Sequence, residues 1–149
     1  MRLRVVTPEG EKVDTDVTAV TAPGSLGELG ILAGHRPLLT SLDVGKFTYV
    51  DGTATRFLAT TSGYMEVHED QITVVTETAE APDEIDVRRA QKSLDKAERL
   101  LAETDPKTQK RAYDNALGRK KRALNRVKVA ESHATPEALK EMQKRAAAS

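Results

Sequence analysis

Few residues in this chain are of a type and spacing that could do covalent chemistry. Three histidines occur, His35, His68 and His133. They fall in separate predicted elements, and no pair has the spacing of a metal-binding motif, which makes solvent or loop histidine the simpler reading. There is no cysteine, which excludes disulfides, thiolate metal sites and thiol nucleophiles. No G-x-S-x-G, Walker A or H-E-x-x-H pattern is present. The glycines of Pro23-Gly24-Ser25-Leu26-Gly27-Glu28-Leu29-Gly30 superficially look like a phosphate-binding loop. They lead into Ile31 and Leu32 and then Pro37, not into a helix whose N-terminus could hold an anion, so they read as turn glycines. The run Arg119-Lys120-Lys121-Arg122 has the composition of a nucleic-acid patch. On a helix, at about 100° per residue, its four side chains spread around the axis instead of lining one groove. Only Tyr113 is near it to stack on a base.

What remains is charge, and its distribution is uneven. The 149 residues carry 23 Lys+Arg and 23 Asp+Glu, a formal net charge of zero. Residues 1–84 hold 6 basic and 14 acidic side chains, a balance of −8, and residues 85–149 carry the compensating +8. The same boundary separates eight of the nine glycines and four of the five aromatics from the rest. Two pieces of different chemistry therefore meet near Ala81-Pro82-Asp83, and such asymmetry between halves points to specific partners. Hydrophobic residues make up 38% of the chain, below the roughly 45–50% (glycine included) of an average globular domain. Neither the first residues nor any later run is apolar enough for a signal-peptide core or a membrane span of ~18 residues, so the expectation is a cytoplasmic protein.

Residues 1–84 read as all-β. Short runs of Val, Thr and Ile are punctuated by Gly, Pro and Asp about every ten residues. Asp51-Gly52 is a two-residue hairpin signal between Lys46–Val50 and Ala54–Leu58, and His68-Glu69-Asp70-Gln71 is a second turn. Eight to ten strands in so short a span predict two packed sheets, an antiparallel sandwich. Residues 85–131 read as a helical hairpin. Asp83 is a suitable N-cap, Glu84 and Asp86 suit the first turn, and Val87, Ala90, Leu94, Ala97 and Leu101 form one stripe. The first helix stops at Glu103-Thr104-Asp105-Pro106, where Asp105 can cap a second helix with Pro106 at its first position. That helix carries Tyr113, Ala116, Leu117, Ala123, Leu124, Val127 and Ala130, and the short connection makes the two antiparallel neighbours. Residues 132–149 form a tail in which Pro136 can start a third short helix through Leu139 and Met142, ending in a mobile Ala146-Ala147-Ala148-Ser149. The helical stripes are rich in alanine, and Gly118 costs the second helix about 1 kcal/mol relative to alanine. The hairpin should therefore be weakly held.

The block Gly27-Glu28-Leu29-Gly30-Ile31-Leu32-Ala33-Gly34-His35-Arg36-Pro37-Leu38-Leu39-Thr40, with Leu42 and Gly45 beyond it, resembles the signature stretch of the ε subunits of bacterial F-type ATP synthases (δ in mitochondria). The later Gly63-Tyr64-Met65-Glu66-Val67 and Val74-Val75-Thr76-Glu77-Thr78-Ala79-Glu80 are similarly placed, as is Ile85-Asp86-Val87-Arg88-Arg89-Ala90 opening the first helix. The likeness spans residues 1 to about 132. Ala33, where the family often has Pro, and Arg36, where a small residue is common, depart from it, and the tail after His133 is longer than in many members.

The resemblance implies an α+β fold and a non-catalytic rotor part that couples ion translocation to ATP synthesis and restrains ATP hydrolysis. It implies a sandwich bound to the γ subunit, with Glu28 and His35 in the loop region facing the c-ring loops. It implies a mobile hairpin that reaches into the head of α and β subunits, where Arg119, Lys120, Lys121, Arg122 and Arg126 meet an acidic loop of β. Membrane association would come only through that complex, at the cytoplasmic face of the bacterial plasma membrane. No cofactor is required, but some members bind ATP as a regulatory ligand. The matching residues are Ile85, Asp86, Arg89 and Ala90 on the first helix, with Arg122 and Arg126 on the second. The rival expectation, independent of the resemblance, is a nucleic-acid-binding module built on the basic hairpin; steeply salt-dependent binding would be its mark.

Overall fold

A computed structural model describes residues 1–148, apart from the side chain of Ala146, so the expectation of a mobile chain end falls partly, at Ala146 and Ser149, outside the described residues. The chain divides into two units, Met1–Ala81 and Pro82–Ser149.

The first unit contains ten strands: β1 (Arg2–Thr7), β2 (Gly10–Asp16), β3 (Ala19–Gly24), β4 (Gly27–Leu32), β5 (Leu38–Leu42), β6 (Gly45–Asp51), β7 (Ala54–Thr60), β8 (Gly63–His68), β9 (Gln71–Thr76) and β10 (Ala79–Glu80). Hydrogen bonding follows the order β10-β7-β6-β3-β5-β8-β9-β1-β2, with β4 on β3. The β3–β5 step is a single bridge, Gly24 to Leu42. The strands therefore form two layers joined at one corner, which is the sandwich the strand count predicts. Alternation along each strand sends one side inward. Leu3, Val5, Leu42, Met65, Val67, Ile72 and Val74 come from one layer, and Val20, Ala22, Ile31, Phe47, Leu58 and Ala79 from the other, to make one core.

Two details differ from the sequence expectation. Strand β1 pairs β9 in parallel, Arg2 against Gln71 through Val6 against Val75. The long chain between them supplies the crossover that a parallel pair requires, so the sandwich is not wholly antiparallel. The β6–β7 loop is also displaced by one residue. Asp51 pairs with Ala54, leaving Gly52-Thr53 as the loop. Gly52 has φ +66, and a loop with glycine at its first central position needs positive φ only there. The β8–β9 turn is also a two-residue loop. Glu69 and Asp70, neither a glycine, have φ of 49 and 59, the pair of left-handed residues that a type I′ loop demands.

The second unit begins with a 3₁₀ turn, Pro82–Glu84, followed by α1 (Val87–Glu103), α2 (Lys110–His133) and α3 (Pro136–Ala147). Asp86, not Asp83, caps α1: its carboxylate accepts the Arg89 N–H at 3.0 Å. Helix α1 ends at Glu103, and the Thr104 hydroxyl donates to the Leu100 carbonyl. Asp105 does act as a cap, but of a separate turn that precedes α2. Its carboxylate accepts the Lys107 N–H at 2.8 Å, and its own N–H donates to Gln109 Oε1 at 3.1 Å. The Lys107 N–H most of all, with bonds from Thr108, holds the Asp105 carboxyl below its ordinary value of 3.8. Helices α1 and α2 pack along Ala90, Leu94, Ala97, Ala116, Ala123 and Val127, all buried. The Lys120–Glu98 ion pair, at 4.0 Å, marks their antiparallel register.

Candidate functional site

Each unit presents surface able to engage a partner. On the sandwich it lies on the β5–β8–β9 layer. Ser41 pairs with Tyr64, and Tyr64 with Val75. Direct cross-strand partners share a face, as do residues two apart on one strand, so Leu39, Tyr64 and Val75 form one outward strip. They are 71%, 63% and 53% exposed. Beside the strip lies an open cleft of about 650 Å³ edged by Val6, Pro8, Ser62 and Glu77. Large apolar side chains left in water on adjacent strands mark an interaction site more often than isolated ones do. A further apolar residue, Leu26, stands fully exposed on the Gly24–Gly27 turn between β3 and β4.

Glu28 and His35 fall at opposite ends of β4. Glu28 is an exposed strand residue paired with Pro23, beside the Leu26 turn, and not a loop residue. His35 lies beyond the other end of β4, where its N–H donates to the Leu32 carbonyl at 3.1 Å and its Nδ1 lies 2.8 Å from the Arg36 carbonyl. The β8–β9 turn steadies this loop, since Asp70 Oδ1 accepts the Gly34 N–H at 2.8 Å. The sequence alone gave no sign of that role for Asp70, whose partner is 36 residues away.

The outer edge of the sandwich carries an ionic ladder. Arg2 Nε meets Asp14 Oδ1 at 2.7 Å, Arg2 also reaches Asp16, and Arg4 Nη2 meets Glu11 at 2.8 Å. The Arg2 hydrogen bond is the main reason the Asp14 carboxyl lies below its ordinary value of 3.8. These pairs are exposed and contribute little to stability.

On the helical unit the basic run behaves as its periodicity predicts. Lys120 turns toward α1 and Glu98, while Arg119, Lys121 and Arg122 are exposed. Arg122 and Arg126 lie one turn apart on α2, with Arg126 half-buried. Arg119 and Arg122 border a cleft of about 520 Å³ with Leu100, Thr104, Asp114 and Asn115. Ile85 and Asp86 belong to a different cleft, of about 290 Å³, with Asp83, Glu84, Glu141 and Arg145. In the register set by Lys120 and Glu98, Arg122 is about ten residues from the level of Asp86, on the order of 15 Å along the helix axis. The folded hairpin thus does not bring Asp86 and Arg122 together, and the Asp86 carboxylate is engaged in capping α1.

Among the described residues no group of three His, Cys, Asp or Glu is placed to hold a metal ion. Among the same residues no helix is long and apolar enough to cross a membrane.

Comparison with known proteins accounts for both units. Residues 1–82 match the family model of the ATP synthase Delta/Epsilon chain beta-sandwich domain. The chain is 43% identical over 130 residues to ATP synthase epsilon chain 2 of Syntrophotalea carbinolica, covering 87% of this chain and 93% of the relative. It is 45% identical over 132 residues to the ATP synthase epsilon chain of Trichlorobacter lovleyi, with the same coverage. Among solved structures, a chain in the Euglena gracilis mitochondrial ATP synthase matches with TM-score 0.66 and 23% identity, over 78% of this chain and 74% of that one. A chain in the central stalk and c-ring of the Tetrahymena thermophila mitochondrial ATP synthase matches with TM-score 0.61 and 18% identity, over 87% and 96%. At that identity the structural matches speak for the fold, while the sequence relatives cover most of sandwich and hairpin alike; on this evidence the chain belongs to the ATP synthase epsilon chain family.

Proposed function

We propose that the chain is a non-catalytic central-stalk subunit of an F-type ATP synthase, which couples ion translocation to ATP synthesis and restrains hydrolysis through its helical hairpin. The observation that carries this is the match to epsilon chains across 87% of the sequence. The Leu39–Tyr64–Val75 strip suits a docking face for the γ subunit, because an apolar strip gains by leaving water. Glu28 and His35, at the two ends of β4, are offered to the loops of the c-ring. Arg119, Lys120, Lys121, Arg122 and Arg126 are offered to an acidic loop of a β subunit within the head that α and β form. On this reading the chain sits at the cytoplasmic face of the bacterial plasma membrane, held there by the complex.

The brake is tested by reversing Arg122 and Arg126 to Glu in a reconstituted complex. Hydrolysis should rise while assembly is kept; unaltered hydrolysis would show that these charges are not the brake.

Regulatory ATP is a narrower part of the same proposal. Arginines suit phosphate, and Ile85, Asp86, Arg89, Ala90, Arg122 and Arg126 have the residue types for it. Because Arg122 is distant from Asp86 in the folded hairpin, a nucleotide touching both would have to lie extended along the helices. Titrating the chain with ATP while following α1 and α2 amide shifts tests this, and no change at millimolar ATP would end it.

A further inference from the structure

Helices α1 and α2 are joined covalently at one end, through Thr104–Gln109. At the other end the chain passes from His133, the last residue of α2, through Ala134 and Thr135 into α3. Thr135 makes three bonds there. Its N–H donates to Asp83 Oδ1 at 2.8 Å, its hydroxyl donates to Asp83 Oδ2 at 3.0 Å, and its Oγ accepts the Ala138 N–H at 3.2 Å, capping α3. Asp83 belongs to the 3₁₀ turn that opens the helical unit, three residues before α1's own cap. One carboxylate thus ties the end of α2 to the beginning of α1. Charge-assisted bonds of this kind are stronger than neutral ones.

Helix α3 then lies back across the first turns of α1. Leu139 and Met142 are half-buried there, facing Val87, Gln91 and Lys92. The seat is loose: clefts of about 430 and 290 Å³ remain along it. The clefts are open to solvent and the two apolar side chains only half-buried, so the seat biases the hairpin without locking it.

We propose that α3 is a clasp: together with the Asp83–Thr135 tie it holds the open end of the hairpin shut, and it must release before α2 can part from α1. Any separation at that end lengthens the Asp83–Thr135 distance first. That the clasp thereby governs how readily the brake engages rests on the function proposed above.

The absence of cysteine makes the test clean. Lys96→Cys on α1 and Lys128→Cys on α2, both exposed positions, carry spin labels in the full chain, and the distance distribution reports separation. Asp83→Ala, or Leu139→Glu with Met142→Glu, should each raise the separated population about tenfold. Thr135→Ser, which keeps the hydroxyl and the N–H, should restore the starting distribution seen with Thr. Thr135→Val, losing only the hydroxyl bonds, should fall between and serves if the α3 variant folds poorly. Unchanged distances in Asp83→Ala and Thr135→Val would overturn the clasp. So would an undiminished Asp83→Ala effect in the Leu139→Glu, Met142→Glu background, since Asp83 would then be acting elsewhere. Hydrolysis by the assembled complex separates the two claims. Released variants should inhibit more strongly, whereas shifted distances with unchanged hydrolysis would contradict the braking function and leave the clasp standing.

Discussion

Replacing Leu94 by alanine should loosen the helical unit and leave the sandwich as it was. Among the described residues, nine apolar side chains besides Pro82 are buried in the helical unit: Ile85, Ala90, Leu94, Ala97, Ala116, Ala123, Val127, Val129 and Ala130. Five of these are alanine, so Leu94 carries a large share of the apolar area between α1 and α2. Truncation removes three carbons, about 2.4 kcal/mol at ~0.8 per buried methylene. The cavity penalty that takes some Leu→Ala losses toward 5 kcal/mol should be small, because a two-helix layer open to solvent can close over the gap. The expected loss is about 2–3 kcal/mol, or roughly 30- to 150-fold in the local opening constant at 1.36 kcal/mol per decade. Native-state amide hydrogen exchange reads that constant residue by residue. Amides of α1 and α2 should exchange faster by that factor while those of β1, β8 and β9 keep their protection. An equal loss in the strands would refute the reasoning, since sandwich and hairpin would then open as one. No loss anywhere would show that Leu94 does not bear the packing assigned to it.

Other outcomes follow from single positions. Gly63 pairs with Thr76 at the start of β8, and a Cβ there would lie 2.0 Å from the Val75 carbonyl oxygen. Gly63→Ala must therefore shift main chain, at about 3 kcal/mol or more, and calorimetry should find the sandwich melting roughly 10–20 °C lower; an unmoved transition would mean the strands can part freely. Asp105 has a folded pKa depressed below 3.8. Its contribution is complete at neutral pH and is lost as pH falls below 3.8 and through the lower folded value. A carboxyl carbon titration by NMR should place its midpoint under 3.8, and a midpoint at or above it would contradict the capping bonds. Asp14 should behave likewise, and Arg2→Ala should return its midpoint toward the ordinary value because Arg2 is the main cause of the depression.

The parts of the fold that depend on period were legible in the sequence. Alternation gave the strands, and the 3.6-residue stripe gave α1 and α2, because each element must bury one side. Features set by distant residues were not. Asp83 looked like the cap of α1 because an acidic residue before a helix usually is one; it is bound to Thr135, 52 positions away, and Asp86 takes the capping role. Strand β1 could not be seen to run parallel to β9, since pairing direction leaves no trace in either segment. The Asp51-Gly52 signal located the hairpin but missed its register by one. At the candidate sites, the solvent-facing basic residues of α2 followed from helical geometry. The Leu39–Tyr64–Val75 strip did not, because it exists only once three strands are aligned.

The central claim is that the chain works as a stalk component. Size-exclusion chromatography of the full chain mixed with a γ subunit of the same enzyme tests it most directly. The account predicts co-elution in a one-to-one complex that is lost when Tyr64 is changed to Asp and Val75 to Lys, exposed cross-strand partners whose new charges attract each other. Failure of the unaltered chain to bind γ, together with binding to DNA or RNA that falls steeply with salt, would contradict it.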